Sequence, residues 1–179
     1  IAILSALSFG KCISPDSISR KGITEVSADD FAIAKSLGYT IKLIAHAEQI
    51  NGRIYASVAP RFVPLSNPLA HISDVYNGIL VGANMLDKVL FYGKGAGKLP
   101  TASAVVADIM DIIEKINASK LPVISWGDAN AEDIADDNAY KCKYCIISNT
   151  NHIITENISR SECEQIASSY FNPKIYPII

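Results

Sequence analysis

Apolar and polar positions along the chain change their spacing several times, and each spacing predicts a type of element. Between residues 101 and 116 the apolar positions recur every three or four residues, which predicts an amphipathic helix with one buried apolar stripe. Apolar and polar residues alternate from Tyr39 to Glu48, and a second run extends from Arg53 to Val63. The intervening Asn51-Gly52 predicts a hairpin with a type I′ turn. Pro60 predicts an edge or a bulge in the second strand.

Shorter patterns predict further elements on both sides of this hairpin. Residues 1–9 are typical of the last turns of a buried helix that ends at Gly10. Ser27 and Asp30 fit a capping box at the start of a second helix, which Gly38 ends. Short strands are predicted over residues 21–26, 76–84 and 86–91.

Beyond residue 118 the periodicity weakens and then returns. Residues 119–139 contain proline, glycine and an acidic cluster without the ligand spacing of a calcium loop, which favours a solvated connector over a metal site. Residues 140–179 predict a compact β-β-α-β unit whose helix is capped by Ser161 and Glu164. The chain as a whole therefore predicts an α+β fold, with a mostly antiparallel mixed sheet, helices on one face, and this small C-terminal unit.

Composition narrows the class of protein. A chain of 179 residues that is 49% apolar can form one sizeable core, or a core with a small added module. The net charge is −2, and positive and negative residues are scattered along the chain, so the sequence has no basic patch of the kind that binds nucleic acid. No apolar run is long enough to span a bilayer, and the apolar opening lacks the basic flank of a signal peptide. We therefore expect a cytoplasmic protein without nucleic-acid or membrane partners.

The cysteines and histidines do not form a convincing reactive site in the sequence. Cys142 and Cys145 are three positions apart on a predicted strand, so their side chains point to opposite faces and one metal ion cannot easily bind both. A zinc site would also need Cys163 and His152, at unsuitable spacing. His46 has no obvious acidic partner. We predict reduced, buried or edge thiols, a structural histidine and no metal site.

A glycine loop leads directly into the long helical pattern. Gly93, Gly95 and Gly97 occupy alternate positions, where a missing Cβ allows tight turns or the close approach of another group. The following helix N-terminus has unpaired N–H groups, and Lys94 and Lys98 add positive charge. We expect an anion to bind at this helix N-terminus. The spacing fits neither a Walker A loop nor a Rossmann fingerprint, and a purely structural loop remains the alternative.

The same loop carries a resemblance to a known family. Gly95-Ala96-Gly97, then Pro100 to Val105, then Asp108-Ile109 resembles the end of the catalytic domain of homoserine dehydrogenase. The resemblance covers roughly residues 1–116. It implies reduction of aspartate semialdehyde to homoserine with NAD or NADP, without deciding between the two cofactors. Upstream it includes Phe9-Gly10, Gly22-Ile23, Lys42-Leu43-Ile44-Ala45, Pro60 and Asn77-Gly78-Ile79.

The resemblance also implies a division of the chain. Residues 1–118 are similar to a catalytic, substrate-binding and dimerising domain that lacks its N-terminal part, residues 119–139 are the connector, and residues 140–179 look like a shortened ACT module. The family's cofactor domain and catalytic lysine would precede Ile1. No catalytic residue can therefore be assigned to this chain, and we expect it to be inactive alone.

Four residues are nevertheless implied as cofactor contacts, namely Gly95, Ala96, Gly97 and Thr101. We also expect a homodimer formed through the sheet, because strand runs such as 41–47 and 54–58 carry apolar residues on both faces. The alternative function is a non-catalytic regulatory or oligomerisation module.

Overall fold

A computed structural model describes residues 1–85, 87–118, 126–149 and 151–179. The chain divides into two compact units, one formed by Ile1–Ser66 with Trp126–Ile179 and the other by Asn67–Ser125. Helices and strands both occur, and antiparallel pairing predominates, which confirms the predicted α+β class. Within these described residues the strands are divided among four small sheets.

The elements follow one another in chain order. They are α1 (Ala2–Phe9), β1 (Lys11–Cys12), β2 (Ser19–Arg20), α2 (Ala28–Ser36), β3 (Tyr39–Ile50), β4 (Arg53–Pro64), β5 (Tyr76–Ala83), β6 (Asp87–Lys94), α3 (Lys98–Asn117), β7 (Gly127–Asp128), β8 (Tyr144–Ser148), β9 (Asn151–Ile154), α4 (Arg160–Ala167) and β10 (Lys174–Pro177). Short 3-10 turns lie at Pro15–Ser17, Pro68–His71 and Ala131–Asp133.

The long hairpin of the first unit forms as predicted. Asn51 and Gly52 have φ angles of 50° and 81°, as a type I′ turn requires, and β3 pairs with β4 without a break in register. The predicted bulge at Pro60 is absent from this register, where Pro60 faces Leu43. On the other side of β4, pairing with β2 reaches only Val58, and the next bridge joins Phe62 to Ile178. On this side of β4, Pro60 thus lies between the strand β2 and the bridge to Ile178. No described partner strand there would accept a hydrogen bond from an N–H at this position, so the missing N–H of Pro60 removes none.

The first two helices form as predicted, but the strand predicted between them does not. α1 ends at Gly10, whose φ of 73° is left-handed. α2 starts with the predicted capping box of Ser27 and Asp30. The predicted strand over 21–26 is wrong, because a turn closed by the Val26 N–H and the Ile23 carbonyl at 3.0 Å occupies that segment.

Two hydrophobic clusters of the first unit join distant parts of the chain. In the first, Tyr55 of β4 packs with Tyr140, Tyr144 and Cys163. In the second, Phe62 of β4 packs with Ala34, Cys145, Ile147 and Tyr176, among others. Residues 140–179 therefore share their cores with the β3–β4 hairpin. The domain bounds at 118 and 139 rest on the family resemblance and stay a prediction.

The C-terminal segment has the predicted β-β-α-β order. β8 is the central strand of the sheet β10-β8-β9, and all five of its residues are buried. The predicted helix cap is wrong by two positions, because Ser159 and Glu162 form the capping box of α4. Both pairs match the same spacing, but Glu164 instead pairs with Arg160 one turn away, at 2.6 Å.

The described part of the predicted connector is anchored to the first unit. β7 pairs in parallel with β1, and Ile134 forms a bridge to Ile54. Ala135 is buried in the first cluster, and Asp133 forms an ion pair with Lys11. Residues 126–139 are therefore packed rather than fully solvated, while residues 119–125 lie outside the described part of the chain.

The second unit consists of the β5–β6 hairpin and helix α3. The helix starts at Lys98, three residues before the predicted Thr101. Its apolar stripe is present but is not buried, which corrects the prediction. The physical reason is that no described element of the second unit covers this face, so the side chains of Val105, Val106, Ile109, Ile112, Ile113 and Ile116 are between 50% and 59% exposed.

Among the described residues, no helix has both the length and the apolar character that crossing a membrane requires.

Candidate functional site

The glycine loop connects β6 to α3 within the second unit. β6 ends at Lys94, Gly95 and Ala96 follow, and Gly97 is the residue that precedes the first turn of α3. The Thr101 N–H donates to the Gly97 carbonyl at 3.1 Å, so these two residues lie one helical turn apart. Gly95, Ala96, Gly97 and Thr101 are all exposed. The structure therefore places the four predicted residues on one accessible loop and turn.

Two of the loop glycines are constrained in different ways. Gly97 has φ 122° and ψ 154°, a backbone region that only glycine occupies readily. Gly95 has no such strain, but a Cβ there would lie 1.8 Å from Nδ2 of Asn77. Gly93, in contrast, has no atom within 4 Å of a Cβ built on it. The tight part of the loop is thus the Gly95–Gly97 segment.

The start of α3 is suited to an anion. Neither a side-chain cap nor an acidic residue occurs in its first turn within the described chain. Pro100 has no N–H, so the backbone donors of Lys98 and Leu99 are the groups offered to a ligand. Lys94 places its ammonium group 5.8 Å from the ring centre of Tyr76. The loop therefore presents backbone donors, a helix dipole and nearby positive charge.

A second cluster of polar side chains lies in the first unit and was missed in the sequence. His46 lies within 3.2 Å of Glu48, which corrects the expectation that it has no acidic partner; the two residues share one face of β3. The rings of Tyr55 and Tyr140 stack at 4.6 Å, and His46 packs against both. Burial, together with the charge of Arg61, lowers the pKa of His46 to about 4. His46 is therefore neutral near pH 7, consistent with the predicted structural role.

The cysteine pair lies on opposite faces, as the sequence predicted. Cys142 belongs to the first hydrophobic cluster and Cys145 to the second. Burial raises the pKa of Cys145 to about 12 and that of Cys163 to about 11. These groups are thus thiols rather than thiolates near neutral pH, which makes them poor nucleophiles.

Comparisons with known proteins agree on one family. The profile of the family described as homoserine dehydrogenase matches residues 1–110. The homoserine dehydrogenase of Lactococcus lactis is 39% identical over 115 residues, which cover 64% of this chain and 27% of that protein. The one from Synechocystis is 36% identical over 173 residues, which cover 93% of this chain and 37% of that protein. A crystal structure of S. aureus homoserine dehydrogenase matches with a TM-score of 0.77 and 27% identity, over 99% of this chain and 51% of that one.

The chain thus spans between about a quarter and about half of the length of these relatives. The family match contains the whole glycine loop and the first turns of α3, as well as the β3–β4 hairpin. The resemblance seen in the sequence is confirmed over more than half of the chain, and we conclude that this chain belongs to the homoserine dehydrogenase family.

Proposed function

We propose that this chain is part of a homoserine dehydrogenase that interconverts aspartate semialdehyde and homoserine with NAD or NADP. The observation that carries the proposal is the family match over residues 1–110, which includes the Gly95–Gly97 loop. The relatives are longer than this chain, so the proposed activity belongs to a longer protein that contains it. Reduction of the aldehyde and oxidation of the alcohol are the two directions of one hydride transfer.

The residues of the loop fit a nicotinamide nucleotide. The cofactor, when bound, supplies or accepts the hydride. In our proposal Gly95, Ala96 and Gly97 let the backbone approach it closely, because no side chain larger than a methyl group extends from the loop. Thr101 lies one turn further along α3 and is exposed at the same end of the helix. The free N–H groups of Lys98 and Leu99 add a favourable field for the anionic part of the nucleotide.

The exposed stripe of α3 supports the proposal that another part of the longer enzyme packs on this helix. Six β-branched side chains that are each at least half exposed form a face that water disfavours. We propose that the cofactor-binding part, which the resemblance places upstream, covers this face. Burying it would hold the loop against the cofactor.

The direct test is activity. We expect a longer protein that carries this segment behind a cofactor-binding domain to oxidise NADH or NADPH when aspartate semialdehyde is added. The chain of 179 residues alone should give no turnover, because the family's catalytic lysine and cofactor domain are not assigned to any of its residues. Turnover by the purified chain would contradict this assignment. An inactive longer protein that binds neither cofactor would instead favour the non-catalytic module.

We also propose a homodimer formed through a sheet. The expected faces on β3 and β4 are partly covered, in places by residues 140–179 and in places by α1 and residues 13–18, whereas the β5–β6 hairpin has an exposed apolar face. Light scattering over a range of concentrations should show twice the mass of one chain. A monomer mass at every concentration would contradict the proposal. The side chains of this face are Ile79, Val81, Val89 and Phe91.

A further inference from the structure

The side chain of Asn77 lies against the glycine loop of the second unit. Asn77 belongs to β5, where its register partner on β6 is Gly93. Gly95 is two residues beyond that partner, at the diagonal position that a side chain of a neighbouring strand can reach. A Cβ built on Gly95 would lie 1.8 Å from Nδ2, 2.9 Å from Cγ and 3.4 Å from Cβ of Asn77. The Asn77 amide therefore fills the space that a side chain at Gly95 would need.

Asn77, and not backbone strain, is what disfavours a side chain at Gly95. Gly95 does not have a positive φ angle, so residues with a side chain can adopt its backbone conformation. The three atoms nearest to the built Cβ all belong to Asn77. Gly93 differs, since nothing lies within 4 Å of a Cβ built on it, although it is paired with Asn77. The side chain of Asn77 thus leans toward the loop and not across to Gly93.

This contact fixes one end of a three-residue segment. At the other end, the Gly97 carbonyl accepts a hydrogen bond from the Thr101 N–H at 3.1 Å, and Cδ of Pro100 lies 3.5 Å from a Cβ built on Gly97. Ala96 lies between the two ends. β5 and β6 are paired along their whole length, so the backbone of Asn77 is itself held in place. Asn77 thereby links the hairpin to the segment that leads into α3.

We propose that Asn77 is a positioning residue for the nicotinamide cofactor and acts by holding the Gly95–Gly97 segment in its binding conformation. Asn77 is not one of the four implied cofactor contacts, and its role depends on the dehydrogenase function proposed above. A segment that is already ordered loses less conformational entropy when a ligand binds, so the ligand binds more tightly. Removal of the Asn77 amide would leave a gap beside Gly95 and let the segment move.

A double-mutant cycle in the longer enzyme tests this role. Asn77→Ala opens the gap, and Gly95→Ala forces the amide or the loop to move. We expect each change alone to raise the dissociation constant of NADH or NADPH, measured by fluorescence titration, about threefold or more. In the double variant the new methyl group fills the gap, because it meets the remaining Cβ at an ordinary distance of 3.4 Å. The double variant should therefore bind the cofactor more tightly than either single variant, and losses that simply multiply would overturn the proposal.

Gly93→Ala is the matched control for Gly95→Ala. It adds the same methyl group on β6 opposite Asn77, but at a position where nothing lies within 4 Å. Combined with Asn77→Ala, it should leave the loss of affinity as large as in Asn77→Ala alone. Equal rescue by Gly93→Ala and Gly95→Ala would show that the methyl group acts through the strand and not through the loop, which contradicts the assignment.

The loop is also followed without cofactor, through the Gly97 amide signal in a ¹H–¹⁵N spectrum of the 179-residue chain. Asn77→Ala should shift this signal, and the added Gly95→Ala change should return it toward its original position. A Gly97 signal that does not respond to Asn77→Ala contradicts the proposal. Asn77 is exposed, so we expect the variants to fold, and thermal unfolding checks this.

The two proposals fail in different ways. If the unchanged longer enzyme binds neither NADH nor NADPH, the proposed function is wrong, and the Gly97 signal alone decides whether Asn77 holds the loop. If the unchanged enzyme binds the cofactor and Asn77→Ala binds it equally well, the function stands and the role of Asn77 is wrong.

Discussion

Replacing Gly97 with valine in the longer enzyme should raise the dissociation constant for NAD or NADP about tenfold or more. A factor of ten corresponds to about 1.4 kcal/mol, and a strained backbone at this position costs about 1–3 kcal/mol. At φ 122° and ψ 154°, valine would be forced out of the observed conformation, and the new side chain would extend into the space proposed for the cofactor. Cofactor affinity is measured by fluorescence titration, and stability by thermal unfolding.

A matched control lies four residues earlier in the chain, at Gly93 of β6. Gly93→Val places the same side chain in β6, where nothing lies within 4 Å of the new Cβ. We expect this variant to bind the cofactor like the unchanged enzyme. α3 should survive in Gly97→Val, because the new Cβ would meet only Pro100, at an ordinary distance of 3.5 Å. If Gly97→Val unfolds the protein while the folded fraction keeps its affinity, the loop is only a structural turn.

Local chemistry explains which elements the sequence predicts well. Asn51-Gly52 fixes its turn through the φ angles that these two residues adopt readily, and Ser27 with Asp30 fixes the start of α2 through hydrogen bonds three residues apart. Such signals need no distant partner. The start of α4 shows their limit, because two overlapping serine–glutamate pairs satisfy the same rule and only the packed structure selects Ser159.

Long-range packing explains what the sequence does not predict. The stacking of Tyr55 on Tyr140 joins residues that lie almost half the chain apart, and no local spacing in the sequence predicts it. Arg61 gives one weak signal, a charge inside the apolar run of β4, but its neutral partners become visible only in three dimensions. The periodicity of α3 correctly predicts an amphipathic helix, yet it cannot tell what covers the apolar stripe.

The candidate loop was recognised because glycine spacing and family resemblance coincide there. The sequence alone favours an anion at Gly93–Gly97, but it does not distinguish which glycine is constrained. The structure assigns positive φ to Gly97 and close packing against Asn77 to Gly95, and it leaves Gly93 free. Because of that difference, Gly93 at the end of β6 can serve as the control for a substitution at Gly97.

Replacing Asp30 with asparagine should destabilise the first unit by about 2–4 kcal/mol at neutral pH, since the variant breaks a buried charged network. Asp30 is only 2% exposed. It accepts hydrogen bonds from the Ser27 N–H at 2.8 Å, the Lys174 ammonium at 2.7 Å and the Tyr176 hydroxyl at 2.9 Å. The bonds from Lys174 and Tyr176 join α2 to β10, which lies more than 140 residues later in the chain. Asparagine keeps the size of the side chain but removes the charge opposite Lys174.

The effect should depend on pH in a defined direction. Burial raises the pKa of Asp30, but the hydrogen bonds from Lys174, Ser27 and Tyr176 outweigh it, so the pKa lies below its ordinary value of 3.8. Well above pH 3.8 the carboxylate is ionised in both the folded and the unfolded state, and its full contribution is present. Below that pH the unfolded chain takes up the proton first, so the contribution is lost as the pH falls through the folded-state pKa.

Urea unfolding at neutral pH and well below pH 3.8 measures this difference directly. The gap in unfolding free energy between the unchanged chain and Asp30→Asn should narrow in acid. Asp29→Asn is the matched control, since Asp29 lies in the same first turn of α2 but is exposed, and it should cost less than about 1 kcal/mol at either pH. A gap that stays constant in acid would show that the charge of Asp30 does not stabilise the fold, and that its contribution comes from neutral hydrogen bonds and packing alone.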